Sequence, residues 1–225
     1  MIKLDRQDAV WILTMCNGEN RFNRDSLDAF HSALDTVQAS TGPAALVTTG
    51  EGKFYSNGND LDWLTGAPGE IDGFMADLHR LLGRVIGFPL VTVAAVNGHA
   101  FGAAAMLAIA HDFVIMREDR GYWCLPEADL GLPLTPAMFA VVSAKLPKRT
   151  AHEAIVTARR YGGAAAAAAG IAHRAVGEDQ VLSVAIAAAA ELAGKDRRAL
   201  AEHRRLLYGD VSIRCGARVV PDAGE

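Results

Sequence analysis

The chain has 225 residues, 51% of them hydrophobic and 21% charged, with a formal net charge of −4 and a pI near 6.0. That suffices to bury a substantial core as one domain, or a domain with a small appendage. The acidic balance argues against a nucleic-acid partner, which calls for a concentrated basic face. No apolar stretch looks able to span a bilayer, since the richest, 100–110, stops at His111 and Asp112. Cys16, Cys124 and Cys215 form no close pair and no metal spacing, so no metal and a reducing cytoplasm are expected. Lys3, Asp5, Arg6 and Asp8 follow Met1 too closely for a secretory signal core.

In chain order, Val10, Trp11, Ile12, Leu13 and Met15 predict a strand over 9–16, closed by the turn pair Asn17-Gly18. Leu27, Phe30, Leu34 and Val37 recur at helical spacing, with Asn23 or Asp25 as cap and Gly42-Pro43 as stop. The apolar run 44–49 reads as a buried strand feeding a glycine-bearing loop, 50–58. Ile71, Phe74, Leu78, Leu81 and Val85 mark a second amphipathic helix, and Pro89 then opens a strand over 90–96. A small-residue helix over 102–110, a strand over 113–116 and an extended piece near Trp123 follow. This alternation predicts an α/β fold with a largely parallel sheet.

Beyond Pro133 helices are expected at 136–145, 150–159, 164–169, 179–193 and 197–207. The alanine run 164–169 reads as packed helix, because alanine is the best helix former. The chain thus divides into a core, 1–150, a helical region, 151–210, and a loosely ordered tail, 211–225, bearing Gly216, Pro221 and Gly224.

Three segments carry the chemistry: KFYSNGNDL at 53–61, VNGHAFGAAAMLAIAHDF at 96–113 and LPEADLG at 125–131. Each follows a predicted strand, and α/β proteins gather ligand sites at the C-terminal ends of parallel strands. Glycine and alanine in such loops let backbone amides approach a ligand closely. Glu127 alone would read as a solvated loop carboxylate; the two segments upstream give it weight. Asp60 follows Gly-x and reads first as the cap of the next helix.

In this order and at these separations the segments resemble the crotonase (enoyl-CoA hydratase/isomerase) superfamily, over 2–207. The resemblance implies a crotonase-like spiral of ββα repeats with a helical C-terminal region that assembles a homotrimer or hexamer. It implies an acyl-CoA thioester substrate, with coenzyme A part of that substrate and no further cofactor. It places the backbone amides of Asn57 and Ala103 on the thioester oxygen, and Arg21, Phe22, Tyr55, Asn57, Asn59 and Asp60 around the coenzyme A portion. Met106, Trp63 and Phe101 would line the acyl pocket.

Hydratases of this family carry two glutamates, and here the first position holds Met106 and the second Glu127. A thioether cannot exchange a proton and is only a weak acceptor, so it cannot steer water. One carboxylate suffices to move a double bond. SNGNDL, NGHA and MREDRG resemble the plant-type peroxisomal Δ3,Δ2-enoyl-CoA isomerases, which implies an enoyl-CoA isomerase of fatty-acid breakdown. The alternatives are another crotonase-type reaction (hydration, thioester hydrolysis or decarboxylation) and a non-catalytic acyl-CoA binder.

Overall fold

The computed structural model describes residues 2–217. Ile2–Gln7 (β1) and Val10–Met15 (β2) pair antiparallel across a tight turn in which Asp8 adopts φ 52°. Sequence periodicity overlooked β1, whose Lys3, Asp5 and Arg6 suit an exposed edge strand. Arg24–Ala39 (α1) follows, capped by the Asn23 side chain, which accepts from the Ser26 amide.

The next three turns of the chain repeat one plan: a long strand, a short strand, then helix. Ala45–Gly50 (β3) leads to Phe54–Ser56 (β4), Leu61–Gly66 (α2) and Ile71–Ile86 (α3). Val91–Val96 (β5) leads to His99–Phe101 (β6) and Ala103–Ala110 (α4), and Phe113–Arg117 (β7) to Trp123–Cys124 (β8) and Pro136–Lys145 (α5). Lys148–Thr157 (α6), Gly163–Ala168 (α7), Arg174–Val176 (β9), Val181–Leu192 (α8) and Arg197–Arg214 (α9) complete the described chain. The expected ββα spiral is present.

The long strands form one sheet in the order β1-β2-β3-β5-β7-β9, parallel after its first pair, and the short ones a second sheet, β4-β6-β8. Every residue of β5 is buried, as befits a strand covered on both faces. Phe30, Leu34, Leu78, Leu82 and Met106 fill one side; Val10, Val47, Val93 and Ile115 meet Ala185 and Ala189 of α8 on the other.

The C-terminal region is mostly helical, as expected, and adds one short strand, β9, which pairs with β7 and completes the main sheet. Its three residues are too few for a period. One sequence expectation needs correction: the tail does not begin at 211, because α9 runs on to Arg214, with Ser212 buried and Cys215 in the main core. The remainder of the expected tail, 218–225, lies outside the described residues. Among the described residues no helix is long and apolar enough to cross a membrane.

Candidate active site

The short sheet brings the three chemistry-bearing loops together. Ala100 N–H donates to Tyr122 C=O at 2.9 Å and Gly102 N–H to Cys124 C=O at 3.0 Å, so the start of α4 lies beside Pro126 and Glu127. On the other flank Gly58 is left-handed, φ 79°, and a Cβ there would lie 2.6 Å from Phe101 O and 3.6 Å from Ala103 N. A Cβ on Gly102 would stand 3.2 Å from Glu127 Oε1. Gly58, Ala103 and Glu127 therefore converge on one spot.

Ala103 begins α4, where an N–H has no carbonyl one turn back to bond, and no side chain caps that end. The second amide is not the one expected. Asn57 N–H donates to Glu19 C=O at 2.9 Å, and the Asn57 side-chain amide donates to Glu19 Oε2 at 2.8 Å, so Asn57 is committed within the protein. Two residues on, Phe22 N–H donates to Gly58 C=O and Asp60 N–H to Phe22 C=O, each at 2.8 Å. In that parallel bridge the intervening Asn59 turns its own N–H away from Phe22. Asn59, not Asn57, supplies the outward amide of this loop.

Glu127 is half-buried, and desolvation raises its carboxyl pKa above the ordinary value of 4.5. Its buried Oε2 has no hydrogen-bond partner among the described residues, and neither has the buried Oδ1 of Asn59. Beside Glu127 opens a cavity of about 540 Å³ walled by Leu125, Leu132, Leu134, Pro136, Phe139 and Ile155, within the range of small-molecule sites. Among its lining residues Glu127 alone is ionisable.

The expected acyl-pocket residues do not line this cavity. Met106 is fully buried in the enclosed helix α4 and is not among the residues lining the cavity. Trp63 packs against Phe74 at 5.5 Å between ring centroids, and Phe101 lies between His99 and Arg160. The walls of this cavity come from Leu125, the 132–136 loop, α5 and α6, where apolar residues could equally have been ordinary core.

The residues expected around coenzyme A fare unevenly. Phe22 is 1% exposed and Tyr55 0%, with the Tyr55 hydroxyl bonded to Thr48, so neither side chain can touch a ligand. Arg21 is engaged by Glu19, Asp60 and Asp62. Asp60 caps α2, accepting the Trp63 amide at 3.3 Å.

Sequence reasoning missed Asn20. It is 3% exposed, holds φ 55°, donates from Nδ2 to Phe54 C=O and Tyr55 C=O, and accepts the Asn17 amide. Its carbonyl accepts the Ser56 hydroxyl at 2.6 Å. An asparagine after a turn pair is one of the few residues suited to left-handed backbone, which was the available signal. Leaving its buried partners unpaired makes Asn20→Ala cost about 2 kcal/mol or more in urea unfolding.

A half-buried carboxylate beside backbone amides at the C-terminal ends of parallel strands, with an apolar cavity alongside, is the arrangement of an α/β ligand site with one polar group set in apolar walls. The chain belongs to the enoyl-CoA hydratase/isomerase family, whose model matches residues 5–217. It is 32% identical to enoyl-CoA delta isomerase 2, peroxisomal, of Arabidopsis thaliana, over 96% of this chain and 94% of that protein. Enoyl-CoA delta isomerase 3 of the same plant is also 32% identical, with coverage of 94% and 93%. Among solved structures, an apo enoyl-CoA isomerase of Mycobacterium tuberculosis superposes with TM-score 0.87 at 26% identity, covering 96% of this chain and 94% of that one. A second structure of that same mycobacterial protein, described as a probable enoyl-CoA hydratase, gives TM-score 0.89 at 25% identity, covering 97% of this chain and 92% of that one. These names divide between isomerase and hydratase, so the residues of the site must discriminate.

Proposed function

We propose that the protein is a Δ3,Δ2-enoyl-CoA isomerase. The observation that carries this is Glu127: the one ionisable group lining the cavity, while Met106 fills the helix position of a second carboxylate and is buried. The amides of Asn59 and Ala103 donate to the thioester oxygen of a 3-enoyl-CoA. Glu127 takes a proton from C2, and the C–H electron pair flows into a dienolate whose charge rests on that oxygen. The carboxylic acid then returns the proton at C4, leaving the double bond between C2 and C3. Atoms and oxidation state balance, so the reaction calls for no metal or redox cofactor.

The test is to offer purified protein a 3-enoyl-CoA and, separately, a saturated acyl-CoA. Formation of 2-enoyl-CoA from the first and no release of free thiol from the second is expected. Thiol release with the 3-enoyl-CoA left unchanged would replace isomerisation by thioester hydrolysis.

A homotrimer or hexamer is proposed on the family resemblance, supported by Leu206, Leu207 and Ile213, which α9 leaves 68%, 69% and 67% exposed. Light scattering should give three or six times the 23.8 kDa chain mass, and a monomer would contradict the assignment. Cytoplasmic residence is proposed because Cys16, Cys124 and Cys215 form no disulfide, which suits a reducing compartment.

A further inference from the structure

At the opposite end of the parallel strands, α1, α3 and α9 wall a groove of about 670 Å³ with Phe88 and Pro89, just before β5, in its lining. The Glu127 loops gather beyond the other end of β5, whose six residues span about 20 Å. Arg80 and Arg84 enter the groove from α3; Arg197, Arg198, Arg204 and Arg205 enter from α9. Among the described residues of its lining Asp35 is the one carboxylate, in a chain of net charge −4. Helical spacing makes the arrangement: 80 and 84 share one face of α3, 197, 201, 204 and 205 one face of α9, and the two helices pack together.

Two of these arginines build the wall. Arg204 is 5% exposed, bonded to Asp112 at 2.6 Å and to the Phe88 carbonyl; Arg84 is bonded to Asp35 at 2.5 Å and to His31. Arg80 and Arg205 pair with Asp77 and Glu202, carboxylates outside the lining. Arg197 differs, for its guanidinium donates to Gln38 C=O at 3.3 Å, Ser40 Oγ at 3.3 Å and Gly42 C=O at 2.9 Å, all neutral oxygens. It is held in place while its charge stays uncompensated by those partners, as a preorganised anion receptor requires. A bound anion would offset the Arg197 charge that those neutral oxygens leave standing.

We propose that this groove is a second ligand site, for a diphosphate-class anion, independent of the isomerase chemistry. Guanidinium groups recognise phosphate oxygens bidentately, and the volume falls within the range of small-molecule sites. Phe88, the aromatic residue of the lining, is 1% exposed and offers no face for stacking a base, so the phosphates are what the groove reads.

The test is calorimetric titration of the whole protein with inorganic pyrophosphate at fixed ionic strength, repeated with orthophosphate. Saturable binding, one pyrophosphate per chain and tighter than orthophosphate, is expected. Arg197→Gln should weaken it about tenfold, the value of one charge-assisted hydrogen bond. Since Arg197 also ties down the segment after α1, the half-exposed Arg80→Gln serves as a second variant, with a smaller loss, because Arg80 is already paired with Asp77, and unchanged turnover of 3-enoyl-CoA. Three results would overturn the proposal: no saturable heat, pyrophosphate affinity equal to that of orthophosphate or unchanged in both variants, or competition between pyrophosphate and acyl-CoA.

Discussion

Glu127→Gln is expected to lower turnover of a 3-enoyl-CoA by about 10²- to 10⁴-fold, the usual worth of general acid–base catalysis, without lowering the thermal midpoint. Glutamine keeps the shape and removes the proton carrier. The stability half follows from sign. Burial raises the Glu127 pKa, so between 4.5 and the raised value the native state binds more protons than the unfolded chain. Stability therefore falls as pH rises through that window, and at neutral pH the ionised carboxylate is a burden that glutamine relieves. The same shift sets the pH profile: kcat/KM rises as Glu127 ionises, along a limb centred above 4.5, and the variant loses that limb. A variant that turned over at the wild-type rate would remove Glu127 from the mechanism.

Gly58→Ala is expected to lower kcat by about 10²- to 10³-fold, comparable to removing an oxyanion donor. The backbone at 58 is left-handed, and the new methyl would stand 2.6 Å from Phe101 O. Relieving that contact moves the loop away from the start of α4, which separates the Asn59 and Ala103 amides. Strain of this kind costs about 1–3 kcal/mol, so a lower midpoint should accompany the kinetic loss. Retention of wild-type kcat in a folded variant would mean that the paired amides are not used.

Much of this was legible in the sequence because the relevant periods are local. The helices at 27–37 and 71–85 carry apolar residues at unbroken helical spacing, and the strand entered from Pro89 is a continuous apolar run. Glu127 was found because two glycine-bearing loops precede it in fixed order. The misses are also local in cause. The strands at 54–56, 99–101 and 174–176 are three residues each, shorter than any period can register. The amide at 59 was mistaken for that at 57 because side-chain identity says nothing about which way a backbone N–H points. Only the bonds from Phe22 to either side of Asn59 fix that direction. Met106, expected in an apolar pocket, is absent from the cavity lining, since an all-apolar helix conceals which of its residues a cavity will meet.

The measurement that bears most directly on the central claim is the product partition when 3-enoyl-CoA and 2-enoyl-CoA are each incubated with the protein in water. A lone Glu127 with no second group to orient a water predicts 2-enoyl-CoA from the first, and from the second no more 3-hydroxyacyl-CoA than the buffer alone produces. Catalysed accumulation of 3-hydroxyacyl-CoA from either would contradict it, showing that the site activates water as a hydratase does.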